Sequence, residues 1–314
     1  MKKTVLYIFF LGITTNLFAQ GYSRAGDWKK YRNEVFVSMG TSQFLGDLGG
    51  RDRTGTHYSP ADINFSQTRT AFGAGFRYRV QKWFNVTGTF NYLIVKGDDA
   101  ETQDPYRNNR NLNFKSNIFE LMGRVEFGYS SARSGNRYSI KKTLSSRVHK
   151  RNWNLFGYTG LGAFYYNPKG REPNGQFVAL RPLHTEGQGL PGGPKQYTNY
   201  SMCIPFGIYY KVTWDKVWSV GVDICWRKTF TDYIDDVGTS YYDPVALQAA
   251  YGKLSAVMAD PSKGAIAGAT KPDGNGIPAQ RGNIQKDSYV SFQVTVGYTI
   301  KKQKRKKARL RSKF

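Results

Sequence analysis

Apolar residues alternate with small or polar residues along several segments of the chain, and the alternation is cleanest in residues 72–80, 86–94 and 290–300. In residues 72–80 the alternating set contains Phe72, Phe76 and Tyr78, and the residues between them are glycine and arginine. A period of two places alternate side chains on opposite faces of a β-strand. The pattern therefore predicts strands with one apolar face.

The polar face of these strands distinguishes two all-β architectures. A soluble sandwich carries many Lys and Glu on its solvated face, whereas here that face is largely Gly, Ser, Thr and Asn. Such a face is typical of the filled lumen of a small transmembrane barrel whose aromatic side contacts lipid. A secreted β-sandwich remains the alternative. We predict an eight-stranded antiparallel transmembrane β-barrel with strands at 34–46, 70–81, 84–96, 114–129, 152–166, 200–214, 217–230 and 288–300.

The predicted connections alternate between short and long. Short turns follow the second and sixth strands, and the long connections fall at 47–69, 97–113, 167–199 and 231–287. If the long loops are extracellular, both termini are periplasmic. The register of strand 152–166 stays open, because aromatic and aliphatic residues compete there for the lipid face. Pro205 predicts a bulge in the sixth strand.

The first residues resemble a secretory signal peptide. Lys2 and Lys3 precede a short apolar run, and the stretch closes on Leu17-Phe18-Ala19, with cleavage expected near Ala19. We therefore divide the chain into a signal peptide at 1–19, a periplasmic segment at 20–33, a barrel at 34–300 and a tail at 301–314. Export makes a nucleic-acid function improbable, although the net charge is +24.

Positive charge is concentrated in segments that the barrel places in the periplasm. The connection 130–151 and the tail 301–314 contain no acidic residue, whereas most acidic residues fall in the long outer loops. An unbroken basic block is usually a solvated tail, but it also suits an acidic partner surface. The candidate partner-binding cations are Lys29, Lys30, Arg32, Arg133, Arg137, Lys141, Lys142, Arg147, Lys150, Arg151, Lys301, Lys302, Lys304, Arg305, Lys306, Lys307, Arg309 and Arg311.

The alternation of side chains along each strand also predicts which charged residues face the lumen. An eight-stranded barrel is filled by its own side chains, so a general diffusion pore is a poor interpretation. The predicted inward residues carry both signs and would pair as a plug, and they are Arg77, Arg79, Glu120, Arg124, Glu126, Lys211, Asp223 and Arg227.

Few residues suggest chemistry. His57 and His184 lie in outer loops and His149 in the basic connection, with no spacing that assembles a catalytic triad, so we expect no enzyme and no cofactor. Asp232, Asp235 and Asp236 are a weak calcium candidate, and a solvated turn is the alternative.

Two further features can be predicted from local sequence. Cys203 and Cys225 face inward with a stagger beyond disulfide reach, which predicts two free thiols. Asp243-Pro244 predicts the start of a helix that continues to about Ala259.

Several phrases of the sequence resemble the PorG proteins of the type IX secretion and gliding machinery of Bacteroidota. The matching phrases, in order, are residues 28–34 (WKKYRNE), 44–50 (FLGDLGG), 95–99 (VKGDD), 107–114 (RNNRNLNF), 182–190 (PLHTEGQGL) and 227–237 (RKTFTDYIDDV). The resemblance implies a non-enzymatic outer-membrane barrel that is not the protein-conducting channel. It further implies association with the periplasmic ring of PorK and PorN, called GldK and GldN in gliding bacteria.

We therefore expect a barrel that anchors or caps this ring, with the basic segments offering cations to it. Three other hypotheses remain open. The first is an adhesion or receptor barrel that acts through its outer loops, and the second is a lipid-modifying enzyme using His57 or His184. The third is electrostatic binding of peptidoglycan or lipid headgroups at the periplasmic face.

Overall fold

A computed structural model shows a closed antiparallel barrel of eight long strands. It describes residues 27–48, 65–102, 104–131, 152–214, 217–266, 268–270, 279–283 and 285–301. The strands are β1 (Asn33–Leu45), β2 (Arg69–Arg79), β3 (Phe84–Asp98), β4 (Asn113–Ser130), β5 (Asn152–Arg171), β6 (Phe177–Ala179), β7 (Tyr200–Trp214), β8 (Trp218–Thr229) and β9 (Ser288–Ile300). Each long strand pairs with the next, β5 pairs with β7, and β1 pairs with β9 to close the ring. The three-residue β6 lies outside the ring, on the end of β5.

Side chains along each strand alternate between the inside and the outside of the barrel, with the predicted period of two. Along β3, for example, Asn85, Thr87 and Thr89 are buried, while Val86 and Phe90 between them are exposed. Because successive side chains point to opposite faces, the polar set fills the interior and the apolar set covers the outside. The predicted fold class is confirmed.

The register of β5 is settled by its burial. Phe156 and Phe164 point into the barrel, whereas Trp153, Leu155 and Leu161 point outward. This strand also runs five residues further than predicted, to Arg171, and folds back into β6.

The predicted bulge at Pro205 is wrong. Thr159 pairs with Phe206 and Gly162 pairs with Cys203, so the same number of residues separates the pairs on both strands. Pro205 lacks an N–H and interrupts the ladder with β5, but no residue is inserted. On its other side Pro205 stays in register with Arg227 of β8.

The long connections fold together at one end of the barrel into what we call the cap, formed by the described residues of 46–48, 98–112, 172–199 and 230–287. The cap contains the helices α1 (Pro105–Arg110), α2 (Pro244–Tyr251) and α3 (Lys253–Ala259). As predicted, Asp243 caps the helix that begins at Pro244, but Gly252, with φ of +90°, divides the predicted single helix in two. Loop residues such as Leu48, Leu112, Ile234 and Met258 join strand residues in one buried hydrophobic cluster.

The opposite end of the barrel carries the described termini. A single 3₁₀ turn at Asp27–Lys30 precedes β1, and the Trp28 side chain is buried there. The guanidinium of Arg32 lies 5.1 Å from the centre of the Trp28 ring and donates to the Tyr78 hydroxyl at 3.1 Å. None of the helices among the described residues is long and apolar enough to cross a membrane.

Candidate functional site

The lumen is filled by buried ion pairs near the end of the barrel that carries the termini. Arg77 donates to Glu34 at 3.0 Å and to Glu126 at 2.8 Å, and Lys211 pairs with the same Glu34. These side chains come from four strands and are almost fully buried. Because each charge has an opposite neighbour, the barrel can hold them away from water.

A second group of pairs continues the filling toward the cap. Arg124 donates to Asp223 at 2.7 Å and to Glu126 at 3.0 Å. Higher in the barrel, Arg227 pairs with Glu120 at 2.8 Å. The interior therefore contains a continuous series of charged and hydrogen-bonded groups rather than an open path.

All of the inward charges predicted from parity are buried in the structure. They are Arg77, Arg79, Glu120, Arg124, Glu126, Lys211, Asp223 and Arg227. Glu34 was missed, although the same parity along β1, where Phe36 and Ser38 also face inward, places it in the lumen. Its role as the shared partner of Arg77 and Lys211 makes it part of the plug.

The two cysteines occupy the lumen as free thiols, which confirms their prediction. Cys203 is opposite Thr229 and Cys225 is opposite Gly207, and both side chains are buried. The Cys203 thiol donates to Glu120 at 3.4 Å, and Tyr289 donates to the same carboxylate at 3.1 Å. Both groups complete the hydrogen bonding of Glu120 rather than forming a nucleophilic site.

Two of the three aspartates considered for calcium, Asp235 and Asp236, have hydrogen-bond partners in the cap, whereas the buried Oδ1 atom of Asp232 has none. The Asp235 carboxylate accepts from the backbone N–H groups of Leu48, at 3.2 Å, and Val237, at 3.1 Å. The Asp236 carboxylate accepts from the hydroxyls of Thr185, at 2.5 Å, and Tyr197, at 2.6 Å. Asp235 and Asp236 thus fasten segments of the cap to one another.

Within the described part of the chain, no group of three or more His, Cys, Asp or Glu side chains is arranged to hold a metal ion. The His184 ring stacks on Tyr251, and its Nδ1 contacts the backbone oxygen of Gln188 at 2.7 Å. It therefore has a packing role, whereas His57 and His149 lie outside the described residues.

Burial of carboxylates in the cap changes their titration. Burial and the charges of Asp47 and Glu186 raise the pKa of Asp232 to about 8. Burial, with the neighbouring Asp47 and Asp232, raises the pKa of Asp235 well above its ordinary value. The pKa of Asp287 is also raised, through burial and the nearby Asp235. These four aspartates connect three segments of the cap, because Asp47 and Asp287 also accept from backbone N–H groups.

At the end that carries the termini, only some of the predicted partner-binding cations are described. Lys29 and Lys301 are exposed, while Lys30 and Arg32 are half-buried. The other candidates in 133–151 and 302–311 lie outside the described residues. The described cations lie on one side of the barrel mouth, where β1 begins and the neighbouring β9 ends.

The outer face of the barrel is an apolar surface. Large exposed side chains such as Val37, Leu121, Ile208 and Phe292 cover it, and among the described residues they form a belt around all eight strands. Aromatic rings stand at both margins of the belt: Trp83, Phe127 and Trp153 toward the end with the termini, and Tyr92, Phe119, Tyr165 and Tyr200 toward the cap. Such a belt with aromatic margins is the surface of a membrane-spanning barrel.

No protein-family model and no curated protein matches the chain. Solved structures with a similar fold include Ail, the attachment invasion locus protein of Yersinia pestis, in complex with the heparin analogue sucrose octasulfate. The alignment has 9% identity and a TM-score of 0.34, and covers 85% of this chain and 98% of that one. The N-terminal β-barrel domain of Pseudomonas aeruginosa OprF aligns at 6% identity with a TM-score of 0.31, and the alignment covers 89% of this chain and 100% of that domain. The outer membrane protein OprG of Pseudomonas aeruginosa aligns at 7% identity with a TM-score of 0.33, and the alignment covers 90% of this chain and 100% of that one.

Proposed function

We propose that this chain is a non-enzymatic outer-membrane barrel of the type IX secretion and gliding machinery that anchors or caps the periplasmic PorK/PorN ring (GldK/GldN). The observation that carries the proposal is the filled lumen. Glu34, Arg77 and Arg124 and their partners occupy the interior, so the barrel offers no path for a secreted protein. A barrel of this kind contributes a membrane anchor and one exposed surface on each side of the membrane.

The proposal assigns the two ends of the barrel to the two sides of the membrane. The end with the short connections and the termini faces the periplasm, and the cap faces the outside, as in bacterial outer-membrane barrels. In this orientation Lys29, Arg32 and Lys301 stand on the ring side, together with the basic connection 130–151 and the tail 301–314.

Charge would contribute orientation and association rate to such a contact. Basic side chains at the rim of an interface steer the approach of an acidic partner, whereas buried contacts supply most of the affinity. The resemblance of six phrases to PorG proteins, in the same order along the chain, supports this choice of partner.

The experiment is a mild-detergent pull-down of the tagged native protein, followed by mass spectrometry. We compare the native chain, a variant that lacks 301–314 and has neutral residues in 130–151, and a control in which Lys195 and Lys253 of the cap are changed to Gln. Ring proteins recovered with the native chain and the control, but reduced with the first variant, would support the proposal. Unchanged recovery together with unchanged secretion would refute the charge mechanism.

The ordered cap favours a second candidate function, an adhesion or receptor barrel. Loops that only close a barrel need no common core, yet here Leu48, Leu112, Ile234 and Met258 from three connections share one. A cap of this kind presents a fixed outer surface to a ligand. Replacing 231–287 by a short turn would abolish binding to cells or matrix under this alternative and would leave recovery of the ring intact.

A further inference from the structure

A row of basic residues crosses the outer face of the barrel next to the cap. Lys96 of β3 is directly opposite Lys115 of β4, which is directly opposite Lys169 of β5. Arg171 is the next outward residue on β5, two positions beyond Lys169. The pleat puts all four side chains on the exterior, since Ser116 and Gly170 between them are the inward residues.

The four cations differ in how they are neutralised. The ammonium group of Lys96 has two acidic partners, Asp98 at 3.3 Å and Glu101 at 3.1 Å. In the described part of the chain, Lys115, Lys169 and Arg171 have no carboxylate partner. Like charges directly opposite each other destabilise a strand pair, so this arrangement favours an anion between them.

An aromatic ring lies against two of the unneutralised cations. The Lys115 ammonium group stands 6.0 Å from the centre of the Phe177 ring, and the Arg171 guanidinium stands 5.3 Å from it. Phe177 belongs to β6, which folds back on β5 and places its ring beside both strands. The ring lies on one side of both cations, and Arg171 is exposed to solvent while Lys115 is half-buried.

The depth of the row in the membrane follows from the aromatic margin below it. Tyr92, Phe119, Tyr165 and Tyr200 form a line across four strands, with ring centroids of neighbours 5.0, 6.5 and 5.1 Å apart. The lysines lie four residues further along the strands. At ~3.4 Å per residue and a strand tilt of ~40°, each lysine lies about 10 Å above the aromatic residue of its own strand, measured along the membrane normal.

The residues between the aromatic line and the lysines are also graded in polarity. Asn117 and Asn167 are directly opposite each other on the outer face of β4 and β5. On β4 and β5 the surface outward from the belt therefore changes from apolar to aromatic, then to amide, then to cationic, whereas β3 has Ile94 at the amide position. The acyl chains, interface and phosphate groups of a lipid leaflet occur in the same order.

We propose that Lys115, Lys169 and Arg171 bind the phosphate of a phosphorylated lipid headgroup in the leaflet on the cap side. The inference rests on the proposed membrane placement and is independent of the ring. Ammonium and guanidinium groups form charge-assisted hydrogen bonds with phosphate, and one phosphate spans two lysines on neighbouring strands. The acyl chains of that lipid lie along Phe119 and Tyr165 below the row.

The position of the row favours a lipid over free phosphate in solution. The three cations stand on the outer face of β4 and β5 at the edge of the cap, with Phe177 beside two of them and the aromatic line below them on the same face. Such a border adds contacts for a molecule with acyl chains and none for an inorganic anion.

Native mass spectrometry of the purified barrel with bisphosphorylated lipid A tests the proposal. The variant Lys115→Gln/Lys169→Gln/Arg171→Gln is compared with Lys82→Gln/Lys195→Gln, which removes cations from the opposite rim and the cap top. Each basic residue near a lipid surface contributes roughly a fivefold factor in affinity, so we expect at least a tenfold loss for the triple variant. The control retains native binding, and Lys115→Arg/Lys169→Arg also retains it.

Dephosphorylated lipid A and inorganic phosphate distinguish the source of the anion. The proposal requires weak binding of the dephosphorylated lipid and little competition from inorganic phosphate. Equal retention of lipid A by the native and triple-variant barrels, or its displacement by inorganic phosphate, would overturn it. Because the measurement uses the isolated barrel, failure to recover ring proteins in the pull-down leaves this result unaffected.

Discussion

Arg124 of β4 and Asp223 of β8 form a 2.7 Å ion pair across the interior of the barrel. The two strands are not neighbours in the ring, so the pair joins separate parts of the wall. The Tyr158 hydroxyl donates to the second carboxylate oxygen of Asp223 at 2.5 Å. The side chains are buried, so each charge depends on the other for the stabilisation that water would otherwise supply.

Removing one member of this pair is expected to destabilise the barrel strongly. Asp223→Ala leaves the Arg124 guanidinium buried with Glu126 alone, and the expected loss is about 3 kcal/mol. The measurement is the urea concentration at which the heat-modifiable band on a gel changes to unfolded mobility.

The double variant Arg124→Leu/Asp223→Leu provides the control for this first prediction. It removes both charges and keeps apolar volume in the lumen, so we expect it to be more stable than Asp223→Ala. A single variant with native urea resistance would show that the pair contributes nothing to stability.

The lipid-facing surface gives a second prediction. Phe292→Arg places a charge in the belt and should lower the yield of inserted barrel, with a cost of about 2–4 kcal/mol near the membrane centre. Phe230→Arg, at the margin beside the cap, should cost ~1 kcal/mol or less, because the penalty falls toward the interface. The yield of heat-modifiable protein in outer-membrane fractions measures both, and equal yields would contradict the assignment of the belt.

Parity along the strands was sufficient to predict the lumen. The period of two alone places Arg77, Glu120 and Asp223 in the lumen, and one tight turn gives the hairpin register of Cys203, as the structure has them. The local geometry of a strand fixes which face a residue occupies, which is why these predictions succeed.

The cap could not be predicted in the same way. Asp47, the neighbouring Asp232 and Asp235, and Asp287 lie at three distant places in the sequence and are brought together only by the packing of the cap. Adjacent acidic residues suggested calcium, whereas Asp235 and Asp236 bind backbone N–H and hydroxyl donors of other segments. The order and packing of loops depend on tertiary contacts that carry no periodic signal.

The buried aspartates predict that the cap is most stable in acid. Folding raises the pKa of Asp232 to about 8 and raises those of Asp235 and Asp287 as well. A raised carboxyl pKa means that the folded state binds the proton more tightly than the unfolded state. The contribution to stability is therefore complete below the ordinary pKa of about 4 and is lost as the pH rises toward about 8. Hydrogen-exchange protection of cap peptides, corrected for the intrinsic rate, should fall across this range.

The variant Asp287→Asn tests the cause of this pH dependence. Asparagine keeps an acceptor for the Ile234 N–H and removes one titrating group, so the decline in protection should be shallower. Glu172→Gln, in a half-exposed turn of the cap, is the matched control and should leave the decline unchanged. If protection declines equally with pH in the native protein and both variants, the pH dependence does not arise from Asp287.

The orientation of the barrel can be measured directly on cells. Lys195→Cys places a thiol on the exposed surface of the cap, and Lys82→Cys places one in the turn between β2 and β3 at the opposite end. A membrane-impermeant maleimide should label the first on intact cells and the second only after the outer membrane is permeabilised. The native thiols Cys203 and Cys225 are buried and should remain unlabelled in the folded protein, which provides the background. Labelling of Lys82→Cys on intact cells would reverse the orientation, placing the basic termini outside and removing the surface that we assign to the periplasmic ring.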